Sequence, residues 1–273
     1  MPLETGKINV HANLCRSSDI EERIREWQEN GIEKTCVCAE GVEQDGEMYT
    51  NEKLIPVMRK YSDAIIGIGR IDMGWDPTGP ERIGILREHG FVGLYCTRPS
   101  YPYDNEIYYP LYETALELDM PLMFETGILP SDPGDRTRGV SADKMRIFRV
   151  DGVIRAFPGL RVMISGLGYP LFEEGIALMN TFDTVFGELK GITDLPGKSS
   201  MFRKIFSVSE QTDEAGFRDH VLLPFIRKLS FASGEDLCGT LSWYESLFNE
   251  FDIDEETQEL FYRKNAEEWL GIA

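Results

Sequence analysis

Short apolar runs alternate along this chain with longer segments whose apolar residues recur every three or four positions. "KINVHA" (7–12) predicts a first strand. In "SDIEERIREWQENG", Ser18 or Asp19 can cap a helix, Ile20, Ile24 and Trp27 fall on one face, and Gly31 ends it. "EKTCVCAE" (33–40) predicts strand two, "NEKLIPVMRKYSD" (51–63) a helix that carries Pro56 near its first turns, and "AIIGIGRID" (64–72) strand three. A helix over 77–90, closed by Gly90, leads to strand four, "FVGLYCT" (91–97). The pattern continues with a helix over 104–119, strand five "MPLMFETG" (120–127), a helix over 141–158, strand six "LRVMISG" (160–166) and a helix over 169–180. "TVFGELKGIT" (184–193) gives the weakest strand signal. A helix over 213–226, strand eight "RKLSFASG" (227–234) and two helical segments complete the chain.

Eight strand–helix units in 273 residues predict an α/β fold, one (β/α)8 TIM barrel spanning 1–273 with a C-terminal helical extension. The competing architecture is a doubly wound open sheet. Its glycine-rich fingerprint after strand one is missing, since "HANLCR" has no glycine. The stretch 194–212 is the longest without a structural signal, and a loop of that length is expected to serve as a lid.

In such a barrel the chemistry gathers where strands end. Those ends carry His11 and Asn13, Glu40, Arg70 and Asp72, Cys96 and Arg98, Glu125 and Thr126, Ser165, and Glu235 with Asp236. The set is rich in groups that ionise or bind ligands.

Composition narrows the functions open to this set. A formal net charge of −19 argues against nucleic acid and against an anionic membrane surface. No run of eighteen apolar residues and no apolar leader segment occur, so a cytoplasmic location is expected. The five cysteines are scattered and lack both disulfide-framework and CxxC spacing.

Five stretches, in order, resemble the amidohydrolase superfamily, and within it the amidohydrolase-related group with its pyrone-dicarboxylate lactonases and aminocarboxymuconate-semialdehyde decarboxylases. "INVHANL" is similar to an opening Ile-Asp-x-His-x-His. The segment ending "DMPLMFETG" is similar to one ending Pro-Val-x-x-His-x-Gly, and "FPGLRVMISGLGYP" to Phe-Pro-x-Leu followed by His-x-Gly-Gly. "KLSFASGED" resembles a strand ending Phe-Gly-Ser-Asp, and "FYRKNAEEWLGI" an Asn-Ala-x-x-x-Leu-Gly close. The resemblance implies a metal site of four histidines and an aspartate. Those positions fall on His11, Asn13, Glu125, Gly166 and Gly234, and only His11 keeps the expected residue. Glycine has no ligating side chain, and an amide oxygen is a poor zinc ligand.

Three expectations follow. The first is a metal-independent hydrolase or carboxy-lyase acting on a small carboxylated compound, with His11 and Glu125 as acid and base and no cofactor. Asn13, Arg98, Tyr101, Tyr103, Arg138 and Glu235 would bind the substrate, the arginines by bidentate contact with a carboxylate. The second is a rebuilt zinc or manganese site on His11, Cys96 and Glu125. The third is a non-catalytic, ligand-binding barrel. A homodimer is what the resemblance hints at. The bland alternatives are a His11 hydrogen-bonded to backbone, a Glu125 neutralised by Arg98 or Arg138, a Cys96 that only packs, and a Glu235 or Asp236 that caps a helix. His89 and His220 are expected on helix surfaces, and Tyr108, Tyr109 and Tyr112 in helix packing.

Overall fold

The computed structural model describes residues 6–15, 19–41, 49–76, 78–131, 133–190, 223–233 and 236–272. Seven strands, β1 (Lys7–Ala12), β2 (Ile32–Cys38), β3 (Ile65–Asp72), β4 (Gly93–Thr97), β5 (Leu122–Glu125), β6 (Val162–Ser165) and β7 (Val185–Glu188), lie in chain order. All six neighbouring pairs are parallel. The gap between β7 and β1 is bridged by residues 228–231. Ser230 N–H donates to Gly187 at 2.8 Å, and Val10 N–H donates to the Phe231 carbonyl at 2.9 Å. The wall is therefore a nearly closed (β/α)8 barrel. Its eighth element is a narrow bridge, where the sequence predicts a full strand over 227–234.

The helices form where the sequence supplies caps and an apolar stripe. In α1 (Ile20–Glu29) the Asp19 carboxylate accepts from the Glu21 and Glu22 N–H groups, Ile24 and Trp27 are buried, and Gly31 turns the chain at φ +76°. The outer layer continues through α2 (Asn51–Lys60), α3 (Pro80–Glu88), α4 (Tyr109–Glu117), α5 (Asp135–Arg138), α6 (Ile147–Ala156), α7 (Phe172–Thr181) and α8 (Leu223–Ile226). The short α5 has no counterpart among the predicted elements, and the helix expected over 141–158 occupies Ile147–Ala156. The lid expected over 194–212 and His220 lie outside the described residues, as does most of the helix expected over 213–226.

Period-two alternation sorts the strand residues into two cores. Ile66, Ile68, Tyr95, Met123, Met163, Phe186 and Ala232 face the barrel interior, while Leu94, Cys96, Leu122, Phe124, Val162 and Ile164 face the helices. After α9 (Leu237–Glu250), the extension runs through α10 (Glu255–Glu259), a π turn at Leu260–Lys264 and α11 (Asn265–Leu270). Trp269 of α11 is fully buried in the interior core and donates its indole N–H to the Leu122 carbonyl at the start of β5. The extension thus plugs the end where strands begin and leaves the other end for chemistry.

Candidate active site

Each inward row changes from apolar to polar at its last step. Met123 is followed two residues on by Glu125, Met163 by Ser165, Phe186 by Glu188 and Ile68 by Arg70. On β1 the pairing register slips by one residue between Asn9 and Ala12. This bulge lets Val10 and His11, adjacent in sequence, both serve the interior. Asn9 anchors it: its amide donates to Ser233 Oγ at 2.9 Å, and its carbonyl accepts from the Ser233 N–H at 3.2 Å and from the His11 N–H at 3.3 Å.

His11 is buried and engaged on both ring nitrogens. Nδ1 lies 3.0 Å from Glu188 Oε1 and 3.3 Å from Ser165 Oγ, and Nε2 lies 3.0 Å from Lys190 Nζ. A lysine N–H needs the Nε2 lone pair, so the imidazole proton sits on Nδ1 and is donated to Glu188. Burial, reinforced by the Lys190 charge, holds His11 below the ordinary histidine value. For the Glu188 carboxyl, burial favours the neutral form. That is outweighed by His11, by the Ser165 hydroxyl and by the Lys190 N–H that Glu188 accepts, so its pKa is lowered.

Glu125 forms a second cluster. The Tyr95 hydroxyl donates to Oε1 at 2.8 Å, and the Thr97 hydroxyl donates to Oε2. Burial and the Glu125 charge push the Tyr95 phenol well up, which keeps it a donor. The Tyr95 ring also meets His11 edge to face at 5.3 Å, so it joins the two clusters.

A third chain of charges runs around the rim. Asn13 donates to Glu40, and Glu40 pairs with buried Arg70 at 2.8 Å. Asp72 lies 4.0 Å from Arg70 and 2.6 Å from Arg138, while Asp135 pairs with Arg98 at 2.6 Å and lies 3.7 Å from Arg138. A cavity of about 470 Å³ opens here, lined by Glu40, Asn51, Arg70, Asp72, Trp75 and Arg138 among others. Nε of Arg70 and of Arg82, buried at its wall, has no hydrogen-bond partner among the described residues.

The other expected site residues fall as follows. Tyr101 is 50% exposed. Tyr103 is fully buried and donates its hydroxyl to the Glu125 carbonyl at 2.7 Å. Cys96 packs in the helix-facing core, on the opposite face of β4 from Tyr95 and Thr97. Gly166 adopts φ +70°, and Glu235 and Gly234 lie outside the described residues. Asp236 caps α9 through the Gly239 N–H, and His89 stands at the exposed end of α3. Glu188, Lys190, Tyr95 and Thr97 are the site residues the sequence reading missed.

A divalent metal does not fit these residues as arranged. Both His11 nitrogens are taken, one by an ammonium, and Cys96 faces away. Among the described residues, no group of three or more His, Cys, Asp or Glu is placed to hold a metal ion.

Residues 39–272 match the family model described as amidohydrolase. No curated protein matches the chain. Among solved structures, an uncharacterized TIM-barrel protein from Bordetella bronchiseptica is similar at TM-score 0.66 and 18% identity, over 93% of this chain and 83% of that one. A protein from Pseudomonas putida assigned as a 2-pyrone-4,6-dicarboxylic acid hydrolase aligns at TM-score 0.64 and 13% identity, over 99% of each chain. The 5-carboxyvanillate decarboxylase of Novosphingobium aromaticivorans, complexed with manganese and a substituted nitrobenzoic acid, aligns at 0.60 and 15%, over 98% and 96%. Among the described residues, no helix is long and apolar enough to cross a membrane.

Proposed function

The chain belongs to the amidohydrolase family, and from that premise we propose that it hydrolyses or decarboxylates a small carboxylated compound at the strand-end mouth of its barrel, without a metal. His11 and Glu125 are its acid–base pair. Glu188 fixes the His11 tautomer and would stabilise the imidazolium that forms during turnover.

The observation that carries this reading is the buried His11–Glu188 pair, joined to Glu125 through Tyr95. A neutral histidine backed by an ionised carboxylate, close to a second carboxylate in a different environment, is how two titratable groups divide acid and base work. The substrate class rests on two supports. The named Pseudomonas and Novosphingobium proteins carry pyrone dicarboxylate and carboxyvanillate in their names. In this chain, Arg70, Arg82 and Arg138 line the cavity beside the mouth and supply the guanidinium groups that a carboxylate would meet there. Arg138 and Arg98 organise the rim around Asp72 and Asp135.

The test is a panel of lactone carboxylates and carboxylated phenols, followed by ultraviolet absorbance and by CO2 release. Turnover is expected with at least one class, and His11→Asn and Glu125→Gln should abolish it while circular dichroism stays unchanged. Turnover that survives both substitutions would sink the proposal.

A further inference from the structure

We infer that Lys190 is the cationic group of this site, a catalytic residue whose ammonium binds the substrate's anionic oxygen and, in doing so, releases His11 to act as a base. The inference rests on the acid–base reading above and adds the charge that reading lacks. Hydrolysis of an acyl group, like decarboxylation next to a carbonyl, loads negative charge onto an oxygen, and something positive must face it.

The geometry supplies that group. Lys190 is held at both ends by the pair it serves: its backbone N–H donates to Glu188, and its Nζ lies 3.0 Å from His11 Nε2. Its Nζ reaches the buried His11 ring, which packs on interior Tyr95, so the ammonium is directed inward. An ammonium has three donors, and among the described residues only the one toward His11 is spent. Among the described residues, the other two donors are left for a ligand oxygen.

The same contact blocks the base in the resting protein. With Lys190 on Nε2, His11 has no lone pair to accept a proton. An anionic oxygen that draws the ammonium away uncovers it. In the hydrolytic reaction a water then attacks the acyl carbon and its proton passes to His11 Nε2. The carbonyl electron pair moves onto the oxygen held by Lys190. When that pair returns, the bond to the leaving group breaks, and the leaving group takes the proton from the imidazolium, whose charge Glu188 has balanced meanwhile. Base and cation are thereby switched on by substrate alone, which limits idle hydrolysis.

The probe is oxalate, the smallest dicarboxylate, titrated by calorimetry and by thermal shift into the intact protein, Lys190→Met and Lys190→Arg. Wild type is expected to bind. The Met variant should lose affinity about tenfold or more and Arg should retain most of it, as removal or retention of one charged hydrogen bond dictates. Equal binding by wild type and Lys190→Met, or no binding by wild type, overturns the inference. On any substrate found by the panel, kcat should fall about a hundredfold or more in Lys190→Met, as when one oxyanion donor is removed. Oxalate binding that depends on Lys190 without turnover of any panel member would leave the cation site standing and remove the acid–base reading. Turnover with a Lys190-independent affinity and rate would do the reverse.

Discussion

The His11 imidazole lies 3.0 Å from the Glu188 carboxylate, bridging residues 177 positions apart in the chain with both partners buried. Glu188→Ala should therefore be costly. It leaves the Nδ1–H of His11 and the backbone N–H of Lys190 without their Glu188 acceptor in a buried site. About 2–5 kcal/mol of stability should be lost, read by urea unfolding. Glu188→Gln keeps an acceptor oxygen and should cost less. Equal stability of Glu188→Ala and wild type would show that the pair is not formed.

The pair also sets a pH dependence. His11 in the folded protein lies below its ordinary value because burial and Lys190 disfavour the imidazolium. Above about pH 6.5, His11 is neutral in both folded and unfolded chains and gives no slope. As pH falls below that value the unfolded chain takes up a proton first, so stability is lost. Glu188, also lowered, adds a loss of the same sign at more acidic pH, below the usual carboxylate range. Urea midpoints measured from neutral to mildly acidic pH should decline in wild type and decline less in His11→Asn. A wild-type midpoint that rises on acidification would contradict the assignment.

The alternation that built these strands was plain in the sequence, and so was much of the ring at their ends. "PLMFE" and "RVMIS" each end an apolar run on a polar residue, which places Glu125 and Ser165 at predicted strand ends; in the structure each follows an inward methionine. "VFGELK" repeats the pattern with Phe186 and Glu188. Gly187 interrupts its apolar run, and the strand predicted over 184–193 runs on past Glu188, so that residue does not fall at a predicted strand end. Lys190 lies beyond the strand end, and its partner is 179 residues away; no local pattern encodes that contact. Cys96 shows the opposite failure. It shares a strand end with Tyr95 and Thr97, but one step of the pleat turns it toward the helices. The β1 bulge, which turns His11 inward, depends on Asn9 meeting Ser233 across the closure and could not be read locally either.

At the opposite end of the barrel, Trp269 is fully buried against the interior core and hydrogen-bonded to β5. Trp269→Ala should cost about 3–5 kcal/mol, the range for a large side chain removed from a packed core. Because the strand-end cluster lies at the far mouth, oxalate affinity at a temperature where the variant stays folded should be unchanged. A stability loss under about 1 kcal/mol would mean that the extension does not plug the barrel.

The proposed metal-independent reaction contrasts most sharply with a fold neighbour crystallised with manganese. A divalent ion at His11 would have to displace an ammonium already on Nε2 and compete for the Nδ1 that serves Glu188. Asn13 is committed to Glu40, and Gly166 contributes no side chain. A cation bound only by the folded state at a hundred times its dissociation constant raises stability by about 2.7 kcal/mol, a shift of several degrees for most domains. Neither millimolar manganese or zinc nor a strong chelator should move the melting temperature of the wild type, and turnover should be indifferent to both. Lys190→Met frees Nε2 beside Glu188, so zinc should stabilise that variant more than it does wild type. Stoichiometric metal in purified wild-type protein, or a melting temperature that falls on chelation, would show that the cation in this site is a metal ion and not Lys190.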